Sequence, residues 1–182
     1  MNPYTVSNGQ DAQPSCRTIV EPQLSRLYER AAACMGDMMQ RRLQNYEAVV
    51  LGVPGGRSGA GVFSALRSQP LPWHRIHFFM VDERLVPLDH EDSNFKILNE
   101  TLITPLAASG ALPDGNVHPF VMDEEQPDYG VSAYHEMLQQ WGGIYHTVLL
   151  SMGEDGHIAS LFPGDLLKAS LKGGHRLIQE AP

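Results

Sequence analysis

The sequence predicts an α/β fold: an open, mainly parallel sheet with helices on both faces. Three short, continuous apolar runs carry that expectation: Ala48–Val53, Ile76–Val81 and Thr147–Met152. Each reads as a strand buried on both faces, and segments with helical apolar spacing lie between them. Strands alternating with helices imply parallel pairing, because a parallel return needs a crossover long enough to be a helix.

Taken in order, residues 1–15 are polar and carry Pro3, Gly9 and Pro14, so they are expected to form a flexible N-terminal arm. One domain is expected over residues 16–182. From Pro22 to Leu43 the residues Leu24, Leu27, Ala31, Met35, Met38 and Met39 recur at spacings of about three and four, predicting a helix that packs on the core through that face. Gly59 to Leu66 reads as a second helix. Asn94 to Leu106 reads as a third, with Phe95, Leu98, Leu102 and Leu106 inward and Ser93 or Asp92 as its cap. The Pro/Gly-rich passage Ala107–Asp128 reads as loop, and Tyr129 to Trp141 as a fourth helix.

Composition narrows the partners. A chain of 182 residues with 42% hydrophobic and 19% charged residues can bury one core. Its formal net charge of -8 argues against nucleic acid and anionic membrane surfaces, which call for a basic face. An anionic ligand must therefore be caught locally. Cys16 and Cys34 have no metal-ligand spacing around them, which fits a reducing cytoplasm. No apolar run approaches the roughly 18 residues of a membrane helix, and the start lacks the basic-then-apolar order of a signal peptide.

In open parallel sheets, ligands bind beyond the carboxyl ends of the strands. Three loops leave those ends. The first, Pro54-Gly55-Gly56-Arg57-Ser58-Gly59-Ala60-Gly61, joins a strand to a helix, where free N–H groups and the helix dipole attract an anion. Arg57 adds a forked donor and Ser58 a hydroxyl, so phosphate is the natural ligand, with an ordinary glycine-rich turn as the alternative. The order of residues matches neither a Walker motif nor the dinucleotide fingerprint. The second loop opens with Asp82, Glu83 and Arg84, followed by Asp89, Asp92, Ser93 and Asn94. A solvated ion-pair cluster is the alternative there. The third, Gly153-Glu154-Asp155-Gly156-His157, presents an imidazole with a carboxylate close by, the pairing of a general base with the group that fixes its tautomer.

Together these segments resemble the 6-phosphogluconolactonase family. The resemblance is carried by Val81-Asp82-Glu83-Arg84 with Val86-Pro87, by Asp92-Ser93-Asn94, and by Met152-Gly153-Glu154-Asp155-Gly156-His157 with Ala159-Ser160-Leu161-Phe162-Pro163-Gly164. Leu71-Pro72-Trp73 adds to it, and it extends from about residue 48 to 166. It implies the fold shared with glucosamine-6-phosphate deaminases, and hydrolysis of 6-phosphoglucono-1,5-lactone in the oxidative pentose phosphate pathway without metal or cofactor. It further implies His157 as general base, Asp155 as its orienting partner, and Arg84 serving either the carbonyl oxygen or the phosphate. Gly55, Gly56, Arg57 and Ser58 would hold the phosphate, and Asp82 and Glu83 would line the substrate site.

Two alternatives accompany that reading. One is a phospho-sugar binding or regulatory module without turnover. The other is a deaminase-like isomerase, whose branch carries an aromatic after the Asp-Glu pair and an Asn-Glu-Pro where this chain has Ser160-Leu161-Phe162-Pro163. The resemblance also implies C-terminal elements that this chain does not include. A homo-oligomer is left open.

Overall fold

A computed structural model describes residues 17–164. The arm expected over residues 1–15, Cys16 and the stretch from residue 165 onward lie outside the described residues. The element order is α1 (Leu24–Arg42), β1 (Val49–Val53), α2 (Gly56–Leu66), β2 (Ile76–Met80), α3 (Asn94–Leu98), a π-helical segment (Asn99–Ile103), α4 (Thr104–Ala108), β3 (Val117–His118), α5 (Val131–Gln140) and β4 (Thr147–Val148). The four strands pair in parallel in the order β3-β2-β1-β4.

The central pair, β1 and β2, runs in register from Val49 opposite Ile76 to Val53 opposite Met80, and every one of its residues is buried. Side chains alternate between the two faces of a strand. Val49, Leu51 and Val53 with Ile76, Phe78 and Met80 join the core built by α1, α2 and the α3–α4 helix. Val50 and Phe79 point the other way, into a smaller cluster with Phe120, Tyr134 and Leu138 from the α5 side. Helices therefore cover both faces, as the sequence predicts, and each fully buried large side chain contributes on the order of 1.5–3 kcal/mol.

The inward face of α1 differs from the expected one. Ala32, Met35, Gly36 and Met39 are buried, whereas Leu24, Leu27 and Met38 are exposed. The rotation follows from close packing against α2. Tyr28 lies over Gly61, where any Cβ would collide with its ring, so the stripe facing α2 runs through Tyr28 and Ala32.

Two strands also differ. β3 lies inside the passage read as loop, and its two residues are too few to leave an apolar run. β4 covers Thr147–Val148 rather than Thr147–Met152, although Leu149 N–H still reaches Gly52 C=O at 3.0 Å. β4 is an edge strand of the described sheet, as β3 is on the other side. Its chain continues with Val148, Leu150 and Met152 exposed, so the expected burial on both faces does not hold there.

The carboxyl end of β2 is held by phenols. Tyr134 Oη accepts the Met80 N–H at 2.7 Å and donates to His118 C=O at 3.0 Å, and Tyr145 Oη donates to Met80 C=O at 3.3 Å. Desolvation raises Tyr134 above its ordinary range and pushes Tyr145 up to about 12, so both remain neutral donors. At the other end of the sheet, His146 Nδ1 accepts the Val50 N–H at 3.0 Å.

Beneath the sheet, His77 Nδ1 meets His118 Nε2 at 3.0 Å, and the His77 ring lies against Trp141 with centroids 3.5 Å apart. Burial lowers both imidazoles from 6.5 to about 4, and for His77 the neighbouring His118 adds to the effect. With folded values below the unfolded ones, the unfolded chain binds more protons between pH 4 and 6.5. The stability that this pair contributes is therefore complete above that window and falls away as the pH drops through it. The slope is up to about 1.4 kcal/mol per pH unit for each ring. Urea unfolding followed from pH 6.5 to pH 4 should show this decline, and His77→Phe should flatten it; an unchanged slope in that variant would refute the assignment.

Candidate active site

At the end of β1, Pro54 and Gly55 are buried and α2 begins at Gly56, three residues earlier than the sequence suggests. Gly56 has φ +84°, a left-handed conformation that strains any residue with a Cβ. The early start places Gly56, Arg57 and Ser58 in the first turn of α2, where backbone N–H groups have no partner within the helix and carry the positive end of its dipole. Ser58 is exposed. The need for glycine at position 55 is spatial: a Cβ there would fall on the side-chain amide of Asn94.

The second loop returns from β2 and feeds α3, and its three leading residues have different roles. Glu83 is saturated by donors. Its Oε1 accepts the N–H groups of Arg84 and Asn94, both at 2.7 Å, and its Oε2 accepts the Phe95 N–H at 2.7 Å and the Ser93 hydroxyl at 3.3 Å. Ser93 Oγ in turn accepts the Lys96 N–H at 3.2 Å, as expected of the cap. Glu83 thus neutralises the start of the helix. Arg84 is exposed, and among the described residues its guanidinium makes no ion pair or hydrogen bond.

Asp82 is half-buried. Asn94 Nδ2 donates to its backbone carbonyl at 3.1 Å and to its Oδ2 at 3.2 Å, while Oδ1 is buried with no partner among the described residues. Desolvation raises the Asp82 carboxyl above its ordinary range and the charge of Glu83 adds to this, against the opposing influence of Arg84, the Asn94 bond and His157. β4 is parallel to β1, as β2 is, so the third loop leaves the same edge of the sheet as the first two.

The third loop folds back on itself. Gly153 N–H donates to His157 C=O at 2.8 Å, and Ile158 and Leu161 exchange N–H···O=C bonds at 3.1 and 2.9 Å. Within this bend Asp155 Oδ1 lies 2.5 Å from His157 Nδ1 and also accepts the His157 N–H at 3.2 Å. Those two bonds hold the Asp155 carboxyl below its ordinary range. The imidazole is therefore in the tautomer that donates from Nδ1, and Nε2 carries a lone pair with no partner among the described residues. With His157 36% exposed and Asp155 61% exposed, water and a ligand can reach that nitrogen. Phe162 flanks the ring at 5.2 Å between centroids. A Cβ at Gly153 would collide with both the imidazole and the Asp155 carboxylate.

The structure thus connects Gly55 to Asn94 by contact and Asn94 to Asp82 by two hydrogen bonds. Sequence reasoning gives a role to Gly55 and Asp82, whereas Asn94 enters it only as part of the Asp92-Ser93-Asn94 motif, with no role assigned. Among the described residues no group of three or more His, Cys, Asp or Glu side chains converges on one point, and no helix is long and apolar enough to cross a membrane.

The family model described as "Glucosamine-6-phosphate isomerases/6-phosphogluconolactonase" matches residues 22–174. The chain belongs to this family. Its relatives include the 6-phosphogluconolactonase of Thermotoga maritima, 36% identical over 125 residues, which covers 68% of this chain and 54% of that protein. The 6-phosphogluconolactonase of Borreliella burgdorferi is 34% identical, covering 72% of this chain and 56% of the relative. The chain spans about half the length of these curated relatives. Among solved structures, that of the Thermotoga maritima 6-phosphogluconolactonase matches with a TM-score of 0.65 at 32% identity, covering 79% of this chain and 62% of that one. A 6-phosphogluconolactonase from Shewanella baltica matches with a TM-score of 0.68 at 26% identity, covering 81% and 62%.

Removing the carboxylate that caps α3 should be costly. Glu83→Ala leaves three backbone N–H groups without their acceptor and should lower stability by about 2–3 kcal/mol, with Glu83→Gln losing less. Urea unfolding of the two variants measures this, and a loss within about 0.5 kcal/mol for Glu83→Ala would contradict the capping role.

Proposed function

We propose that this chain hydrolyses 6-phosphoglucono-1,5-lactone to 6-phosphogluconate, with His157 as general base. The observation that carries the proposal is the His157–Asp155 pair: Nδ1 is engaged by the carboxylate, so the free Nε2 is directed to solvent chemistry on a loop at the carboxyl edge of the sheet. The relatives named 6-phosphogluconolactonase support the choice of substrate.

In this reading the substrate's phosphate rests on the first turn of α2, held by the N–H groups of Gly55–Ser58 with Arg57 and Ser58 as further donors. Nε2 takes a proton from water as its oxygen bonds to the lactone carbonyl carbon. The carbonyl oxygen becomes an oxyanion, and loop N–H groups or Arg84 stabilise it. Collapse of this intermediate breaks the bond to the ring oxygen, which leaves with the proton returned by the imidazolium. Atoms and charge balance without metal or cofactor. Asp155, kept ionised by its two bonds from His157, offsets the charge on the ring during the step. Asp82 contributes to the sugar-binding wall, and Glu83 acts on the site through the helix start that it holds. The same reading places the reaction in the cytoplasm and in the oxidative pentose phosphate pathway.

His157→Ala should reduce kcat by about 10²–10⁴-fold with little change in folding, and Asp155→Asn should reduce it less. Spectrophotometric assay of lactone opening against the spontaneous rate tests both. A parent chain that binds 6-phosphogluconate by calorimetry yet does not accelerate opening would instead establish a binding module, and a His157→Ala variant at full rate would remove the mechanism.

A further inference from the structure

We infer that Asn94 is a positioning residue that couples the turn after β1 to the Asp82 carboxylate after β2, so that two loops of the candidate site are set by one side chain. Its kinetic consequences rest on the lactonase reading. The geometry is independent of it.

Asn94 is buried, 6% exposed, at the first position of α3. Its backbone N–H is fixed by Glu83 at 2.7 Å, so the side chain leaves a clamped Cα. The amide then does two things. Its oxygen side fills the volume that a Cβ on Gly55 would need, so the backbone of the turn rests directly on Asn94. Its nitrogen donates to the carbonyl and to Oδ2 of Asp82 at 3.1 and 3.2 Å, fixing both the backbone and the rotamer of that residue. Asp82 is thereby left with one buried oxygen, Oδ1, that has no partner among the described residues. A Gly55 without Asn94 would have an empty seat, and an Asp82 without Asn94 would be free to turn. The contact of Asn94 with Gly55 is one of packing, and its contact with Asp82 is one of hydrogen bonding.

Two substitutions separate the two contacts. Asn94→Asp keeps the shape against Gly55 but loses the donor and sets a second carboxylate against Asp82. It should leave KM within about threefold of the parent and lower kcat by about tenfold or more, with the acid limb of the pH profile moved upward. Asn94→Ala removes both contacts and should raise KM as well as lower kcat, for a loss of about 10²-fold in kcat/KM. A side chain with only a structural role would lower the amount of folded protein and leave KM and the pH profile where they were.

Gly55→Ala supplies the third arm. Alone it drives a methyl into the amide and should be impaired at least as much as Asn94→Ala. In the Gly55→Ala/Asn94→Ala double variant that collision is gone, and the combined loss should fall well short of the product of the two single losses. Additive losses, or an Asn94→Ala variant with parental KM and kcat, would overturn the inference. A parent chain that hydrolyses nothing overturns the lactonase reading alone. The same cycle is then read in urea, where a double variant more stable than the sum of the singles predicts supports the coupling and simple additivity overturns it.

Discussion

The parallel pairing of β1 with β2 is the constraint on which the remaining features depend. Because Val53 stands opposite Met80, the chain leaves both strands at the same edge and at the same height. Two loops that are distant in sequence thereby emerge side by side, and β4, parallel on the other flank of β1, delivers the third. The central strands are apolar apart from His77 because both faces are covered, and charged side chains collect at the rim of the sheet. The phenols of Tyr134 and Tyr145 fix the last peptide of β2 just before the chain turns into Asp82.

At that rim, adjacent carboxylates have opposite fates. Glu83 accepts every donor within reach and becomes part of the scaffold, holding the start of the helix that carries Asn94. Asp82, one residue earlier, has a single side-chain donor and one unsatisfied oxygen, in surroundings that favour its neutral form. Asp155 is different again: exposed, doubly bonded by His157 and held firmly ionised. Three acidic residues that composition treats alike are thus separated by the number and kind of N–H groups aimed at them.

Much of this was legible in the sequence where the signal is local. The runs Ala48–Val53 and Ile76–Val81 announce central strands because burial on both faces leaves them almost wholly apolar, with His77 the exception. The pairing of Asp155 with His157 is legible because two residues apart in a tight glycine bend leaves the two side chains few places to go. What escaped depends on tertiary context. β3 consists of only Val117 and His118, whose pairing comes from β2 rather than from their own composition. The face of α1 was misjudged because Tyr28 over Gly61, a contact between helices, decides its rotation. Asn94 was legible as part of a motif but not as a link, because what it touches is a glycine 39 positions earlier and an aspartate 12 positions earlier, and neither distance has a period.

The crowding at Gly153 restricts how the loop carrying His157 can be altered. The imidazole and its carboxylate occupy the space beside that α-carbon, so every proteinogenic residue other than glycine displaces the pair it would be meant to modify. The imidazole's other described neighbour is Phe162, whose ring centroid lies 5.2 Å away, so a change at that position alters the ring's surroundings without adding a Cβ at Gly153. Variation in this loop is therefore one-sided: closed from within by the absence of a methyl's worth of room, and open along the surface that meets the solvent.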